Sequence, residues 1–310
     1  MLVPVVLLVA FGLLGGWGLT AVVGLVLGLV LDLLATVLLL LVVTHTMSGR
    51  RLRRTDGSVG DLAARTTRLE SSLAEQRTTL ERQSDAARKT QTALTAAVTQ
   101  VGNRLQATQN LFALVTPRGP VPMMVGYVAS PDVLLLLVQT FLTRRPSLVV
   151  ECGSGTSTLF LALAAQQHGV ECRIVSLDHE LAYAEGTRAL LAEHGVGHLA
   201  EVRHAPLATT SLGAEAGPWY DGAAYEDLHD IGLAFVDGPP GDVGPQARYP
   251  MVPLLADRLA QRCVIVLDDA NRADERGTAE RWRTQLPGFT YRFLPLTRGA
   301  AVFTRGDTIR

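Results

Sequence analysis

The chain has 310 residues, 48% of them hydrophobic and only 18% charged, with a formal net charge of -1. That near-neutral balance speaks against a nucleic-acid binder held by a strongly basic surface, and the varied, apolar-rich composition excludes wholesale disorder or a collagen-like fibre. Three cysteines, Cys152, Cys172 and Cys263, cannot build a disulfide framework, and none has the CxxC partner that would mark a zinc site.

Residues 2–43 hold one ionisable side chain, Asp32. The run is too long for the apolar core of a signal peptide, and no basic residue precedes it. As a helix it would reach roughly 63 Å, twice the thickness of a hydrocarbon core of about 30 Å. Two arrangements are open: a tight hairpin turning near Gly15-Gly16-Trp17-Gly18, or one spanning helix over residues 19–43. Arg50, Arg51, Arg53 and Arg54 follow at once, and the positive-inside rule puts that side in the cytoplasm. Residues 1–47 are therefore expected to be a transmembrane segment in the cell membrane, with everything after them cytoplasmic.

Residues 56–111 contain no proline, and Leu62, Leu69, Leu73, Leu80, Ala87, Leu94, Val101 and Leu105 recur at helical spacing. Their heptad partners Gln76, Gln83 and Thr90 are polar, so the seam is incomplete. The spacing predicts a helical stalk over residues 48–115 and a weak parallel coiled coil that would pair two chains into a homo-oligomer. An unbroken stalk helix would extend about 80 Å at most. Thr116-Pro117-Arg118-Gly119-Pro120-Val121-Pro122 ends it, which makes residues 116–310 the next domain.

That domain alternates strand-like and helix-like runs, the pattern of an α/β fold. Ser130-Pro131-Asp132 opens a helix, with the proline suited to its first turn. Residues 148–152 read as a buried strand that enters Gly153-Ser154-Gly155-Thr156-Ser157-Thr158 and then an apolar helix. A second strand, 173–177, ends at Asp178-His179-Glu180, followed by a helix over 182–194 and a third strand at about 200–204. Residues 231–236 form the fourth, ending at Asp237-Gly238-Pro239-Pro240-Gly241, and 263–267 the fifth, ending at Asp268-Asp269. Runs at 290–296 and 300–304 close the domain as a hairpin around Thr297-Arg298-Gly299. Trp219-Tyr220-Asp221 falls in what reads as a long loop before the fourth strand. His168, His194 and His198 lack metal spacing and are expected at the surface, whereas Trp282 is expected to pack a helix.

In open α/β sheets ligands bind beyond the carboxyl ends of the strands, where this sequence repeatedly places carboxylates. Gly153 and Gly155 let backbone approach a ligand, and the helix start that follows offers amide donors. Asp178 lies 23 residues after Gly155, where an acid can take both hydroxyls of a ribose. A dinucleotide fingerprint would want glycine or alanine in place of Thr158, and a phosphate loop would need a lysine; the sole lysine, Lys89, sits in the stalk. Glu151, two residues before the first glycine, suits a ligand that carries an ammonium group. S-adenosylmethionine, with an amino acid at one end and ribose and adenine at the other, meets both demands.

Val149-Val150-Glu151-Cys152-Gly153-Ser154-Gly155-Thr156-Ser157-Thr158 resembles motif I of the class I S-adenosylmethionine-dependent methyltransferases. Val175-Ser176-Leu177-Asp178-His179-Glu180 is similar to their second-strand motif. Phe235-Val236-Asp237-Gly238-Pro239-Pro240-Gly241 and Val266-Leu267-Asp268-Asp269-Ala270-Asn271-Arg272 are similar to the motifs of the fourth and fifth strands. The likeness covers about residues 124–305, leaves out the membrane segment and stalk, and is nearest to a bacterial O-methyltransferase-like group. It implies a Rossmann-like seven-stranded sheet with flanking helices, one strand of the last pair antiparallel.

The resemblance implies that Glu151, Gly153, Ser154 and Gly155 hold the methionine part of the cofactor and Asp178 its ribose. His204 would lie beside the adenine, where the family often has an acid that this chain lacks, and Asp237 beside the reactive methyl group. For a hydroxyl acceptor the candidate bases are Asp237, Asp269 and His179, in that order. Some relatives hold a divalent metal at the same strand ends, and here Asp237, Asp268, Asp269 and Asn271 could supply oxygen ligands suited to magnesium. The Gly-Pro-Pro-Gly turn departs from the metal-dependent pattern, however, so no metal is expected, and the Asp268-Asp269 pair would cap the turn and pair with Arg272 or Arg276. The expected function is O-methylation by a membrane-anchored enzyme, its acceptor a small molecule or a lipid-linked or glycan species. The alternatives are a non-catalytic scaffold that binds the cofactor and a metal-dependent hydroxylase-like relative on the same fold.

Overall fold

In a computed structural model, residues 18–47, 56–124, 126, 128–212 and 215–306 are described. Gly15, Gly16 and Trp17 of the expected hairpin turn, and the cluster Arg50, Arg51, Arg53 and Arg54, lie outside them. The chain falls into two compact units, Met1–Thr90 and Gln91–Arg310.

In the first unit, helix α1 (Gly18–Met47) contains the 24-residue span Ala21–Thr44, long and apolar enough to cross a membrane. Its side chains are exposed throughout that span, and the hydroxyls of Thr36 and Thr44 donate back to the carbonyls of Asp32 and Leu40, so they present no unsatisfied group to an apolar solvent. Helix α2 (Asp56–Leu114) starts in this unit. Exposed pairs one turn apart, Asp61 with Arg65 and Arg77 with Glu81, lie along it, each contributing a few tenths of a kcal/mol at most.

The second unit is built on a seven-stranded sheet. Strands β1 (Leu148–Cys152), β2 (Arg173–Asp178), β3 (Ala200–His204), β6 (Ile231–Val236) and β7 (Leu259–Leu267) are mutually parallel where they pair. Beyond β7, β9 (Ala300–Arg305) runs antiparallel to both β7 and β8 (Thr290–Leu294). The order is β3-β2-β1-β6-β7-β9-β8, with the reversal between β1 and β6 that opens a ligand crevice. Every residue of β1 and β6 is buried, which explains why these strands read as continuous apolar runs: helices cover both faces.

On one face pack α3 (Pro131–Arg144), α4 (Thr156–His168), α5 (Leu181–Glu193) and the end of α2, through Leu111, with Val115 just beyond it. The other face is covered by α6 (Met251–Leu255), α7 (Ala273–Gln285) and a group of aromatic residues. Trp282 is one of them, packing edge-on against Phe303 and donating its indole N–H to the Tyr249 carbonyl. Ser130 precedes α3 with Pro131 in its first turn. Asp132 accepts N–H bonds from Val133 and, at 2.6 Å, from Thr297, tying that helix start to the β8–β9 connection.

Two sequence expectations are corrected. Trp219 and Tyr220 do not lie in a loop: β4 (Leu207–Leu212) and β5 (Glu215–Tyr220) form a separate antiparallel hairpin. Both aromatics are buried, their rings in edge contact, so strand-forming aromatics found a packing surface and overrode the loop reading. His194 is not on the surface but fully buried. Its Nδ1 accepts the Arg118 N–H, which puts the ring proton on Nε2, where it meets the Pro120 carbonyl. The proline-rich segment after α2 is thus fastened to the end of α5.

Candidate active site

The turn after β1 is shaped by glycine. Gly153 has φ +102°, a region L side chains rarely adopt, and its N–H bonds the Leu177 carbonyl at 2.8 Å. Gly238, after β6, sits so close to the Tyr220 hydroxyl that a Cβ there would come within 2.6 Å of it. Asp237 and Gly238 both donate their N–H to the Cys152 carbonyl, which locks the β1 and β6 exits together.

Glu151 is fully buried at this junction. Oε2 accepts the Ser176 hydroxyl at 2.6 Å, and Ser176 in turn contacts the Thr158 hydroxyl at 3.0 Å. Oε1 has no hydrogen-bond partner. Burial pushes the carboxyl above its usual range, opposed by the hydroxyls of Ser176, Thr158 and Ser157. Thr158, which breaks the dinucleotide fingerprint, therefore has a task in this chain: its hydroxyl helps to solvate a buried acid.

Asp178, at the end of β2, is almost fully buried and accepts the Ser154 hydroxyl at 2.6 Å and the Glu180 N–H at 3.1 Å. Ser154 also contacts the Thr187 hydroxyl. Glu151, Gly153, Ser154, Gly155 and Asp178 thus share one locality. His204 is exposed and lies opposite Asp178 in the β2–β3 register. His179 belongs to this side too, its ring nitrogens 3.8 Å from Asp178 and 3.7 Å from Glu180.

The other half of the site lies at the ends of β6 and β7. Asp237, Asp268 and Asp269 bring one oxygen each to within 4.8 Å of one another. Between them lies Arg248, whose side chain is 4% exposed. Its Nη2 donates to Asp237 Oδ1 at 3.2 Å and to Asp269 Oδ2 at 3.0 Å, Nη1 to the Asp268 carbonyl at 3.0 Å, and Nε to the Pro239 carbonyl at 3.4 Å. Arg272 reaches Asp269 Oδ2 at 3.0 Å, the pairing expected from sequence. Asp269 holds φ +59°, sparsely populated for a residue with a side chain, and the N–H groups of Ala270 and Asn271 bond the carbonyls of Gly299 and Arg298 just beyond it.

Burial pushes Asp237 up to about 6, with Arg248 opposing and Asp269 adding to the rise. Asp268 is pushed up to about 8 by burial and by its two acidic neighbours, and its Oδ2 has no hydrogen-bond partner. The donor set does not fit a divalent metal as built, because a fixed guanidinium already bridges two of the three carboxylates. Asn271 is exposed. Nucleophilic thiols are absent from this chemistry: burial pushes Cys152 and Cys263 up to about 12. Sequence reasoning missed Arg248. The only signal was indirect, three acids at adjacent strand ends that need a counter-charge.

The sheet order and its single antiparallel strand define the class I methyltransferase fold. Residues 150–270, which run through this sheet, match a family model described as a methyltransferase domain. Among solved structures, it is similar to an SAH-bound methyltransferase from Podospora anserina at 15% identity, covering 70% of this chain and 96% of that one with a TM-score of 0.48. An O-methyltransferase from Bacillus cereus in complex with SAH matches at 15% identity, 67% and 91% coverage and a TM-score of 0.44. The O-methyltransferase TomG from Streptomyces achromogenes, involved in tomaymycin synthesis and solved with SAM, matches at 19% identity, 66% and 89% coverage and a TM-score of 0.41. No curated protein matches the chain.

Proposed function

We propose that this protein is a membrane-anchored methyltransferase that uses S-adenosylmethionine to methylate an oxygen of its acceptor. The observation that carries the cofactor reading is Glu151 Oε1, a buried carboxylate oxygen without a partner beside the glycine turn. An unpaired buried acceptor is costly unless a ligand satisfies it, and an ammonium group does so with charge. Gly153 and Gly155 open the backbone to the methionine part, Ser154 fixes Asp178, and Asp178 keeps lone pairs for the two ribose hydroxyls. His204, opposite Asp178 in the strand register, would border the adenine.

Bound there, S-adenosylmethionine would supply an electrophilic methyl group for in-line displacement. Asp237 is the preferred base. It is the most accessible of the three clustered acids, and with its carboxyl near 6 it is mostly ionised at neutral pH. It would take the hydroxyl proton as the acceptor oxygen forms its new bond to carbon. Asp269 is held by three arginines, which makes it the weaker candidate, and His179 has its charged neighbours on the cofactor side.

The proposed organisation is an anchor over residues 1–47, a stalk over 48–115 and the methyltransferase domain over 116–310, with the domain in the cytoplasm. An apolar span at Ala21–Thr44 supports the anchor. Exposed Leu69, Leu80, Leu94, Val101 and Leu105 on α2 support pairing of two chains. An anchored enzyme suits a lipid-linked, glycan or small-molecule acceptor met at the membrane surface. The test is calorimetric titration of the full chain in detergent with S-adenosylmethionine. Micromolar binding is expected, weakened at least ~tenfold by Asp178→Ala, about 1.4 kcal/mol; no binding by folded protein would overturn the reading.

A further inference from the structure

The acids at the ends of β6 and β7 have the separation of a divalent-cation site, with three carboxylate oxygens within 4.8 Å. A cation is nevertheless already among them, and it belongs to the chain. We propose that Arg248 is a covalently built-in substitute for a divalent metal: its guanidinium holds Asp237 and Asp269 in place, and the site works without metal ions.

Four features support this. The guanidinium joins two carboxylates from different strand ends through one nitrogen, Nη2, as a bridging ion would. Its other nitrogens bond the carbonyls of Asp268 and Pro239, so its orientation is set by backbone from both strand exits. Arginine keeps its charge at any pH a folded protein meets, so the clamp persists where a metal would exchange. Displacing it would also be costly. A metal would have to drive a buried side chain out, leave two buried carbonyls unpaired, and sit beside Arg272 as well. Arg248 is thus a positioning residue that acts through Asp237, leaving Asp237 Oδ2 for the acceptor. That last role rests on the methyltransferase reading; the metal substitution does not.

The experiment uses the full chain in detergent and manganese(II) alone as the probe, followed by electron paramagnetic resonance and thermal unfolding. Wild type and Arg248→Lys should leave manganese in solution. Arg248→Met should bind it at least ~tenfold more tightly than wild type, gain thermal stability from it, and lose both properties when Asp269→Asn is added. If Arg248→Met folds only when manganese is present, the outcome counts the same way. Two results would overturn the proposal: Asp269-dependent micromolar binding by wild type, or an Arg248→Met protein that gains neither signal nor stability from manganese. Neither readout involves S-adenosylmethionine, so failure here is distinguishable from failure of the cofactor assignment.

Discussion

The two halves of the site handle buried acid by opposite means. Around Glu151 the chain supplies only neutral hydroxyls, from Ser176, Thr158 and Ser157, and leaves one oxygen without a partner. Around Asp237 and Asp269 it supplies a buried arginine bonded to both. A carboxyl solvated by hydroxyls keeps an unmet demand for a partner, the basis of the proposal that a cationic ligand meets it. One clamped by a guanidinium has that demand met and is held for orientation. On the proposed reading the same residue type carries a binding role in one half and a geometric role in the other, and the counter-charge decides which.

The largest expected effect tests the clamped half. Arg248→Met, without added metal, should cost about 3–5 kcal/mol of stability by leaving carboxylates buried without their cation, measured by urea or thermal unfolding. A loss below ~1 kcal/mol would mean that the arginine does not hold the cluster, and the contrast would collapse. Next comes the hydroxyl-solvated half. Ser176→Ala removes the 2.6 Å bond to Glu151 and should cost about 1–3 kcal/mol, with S-adenosylmethionine binding weakened in parallel; an unchanged stability would show that the hydroxyls are incidental.

The third effect is a pH dependence. Asp268 is raised to about 8 in the folded protein from an ordinary value of 3.8. Its neutral form is therefore the one the fold favours, and that contribution is complete below about pH 4 and lost as pH rises towards 8. Asp268→Asn should remove this decline, matching wild type at pH 4 and exceeding it at pH 9 by about 1 kcal/mol or more. Parallel stability profiles for the two proteins would show that Asp268 ionises as freely in the fold as outside it.

The clustering of the residues proposed to hold the cofactor was legible because each belongs to a strand or the turn that directly follows it. Glu151, Gly153, Ser154 and Gly155 leave β1 in order, and Asp178 ends β2, so local chain geometry brings each to the sheet's carboxyl edge. Two other features could not be read this way. The segment around Trp219 and Tyr220 has small and polar neighbours that look like a loop, and only the surface it packs against makes it a hairpin. His194 looks like any polar residue at a helix end until Arg118 and Pro120, more than 70 residues earlier, close over it.

By itself the sequence determined the chain order of the seven strands of the main sheet, the apolar N-terminal span, the long helix and the acids at the strand ends, because all of these follow from local spacing and propensity. Tertiary structure alone decided which distant charges meet. Arg248 comes from an irregular segment after β6, and nothing in its neighbours marks it as the partner of Asp237 and Asp269. That pairing arises when the fold buries all of them in one low-dielectric pocket, where a cation of the chain is the cheapest way to hold two carboxylates together.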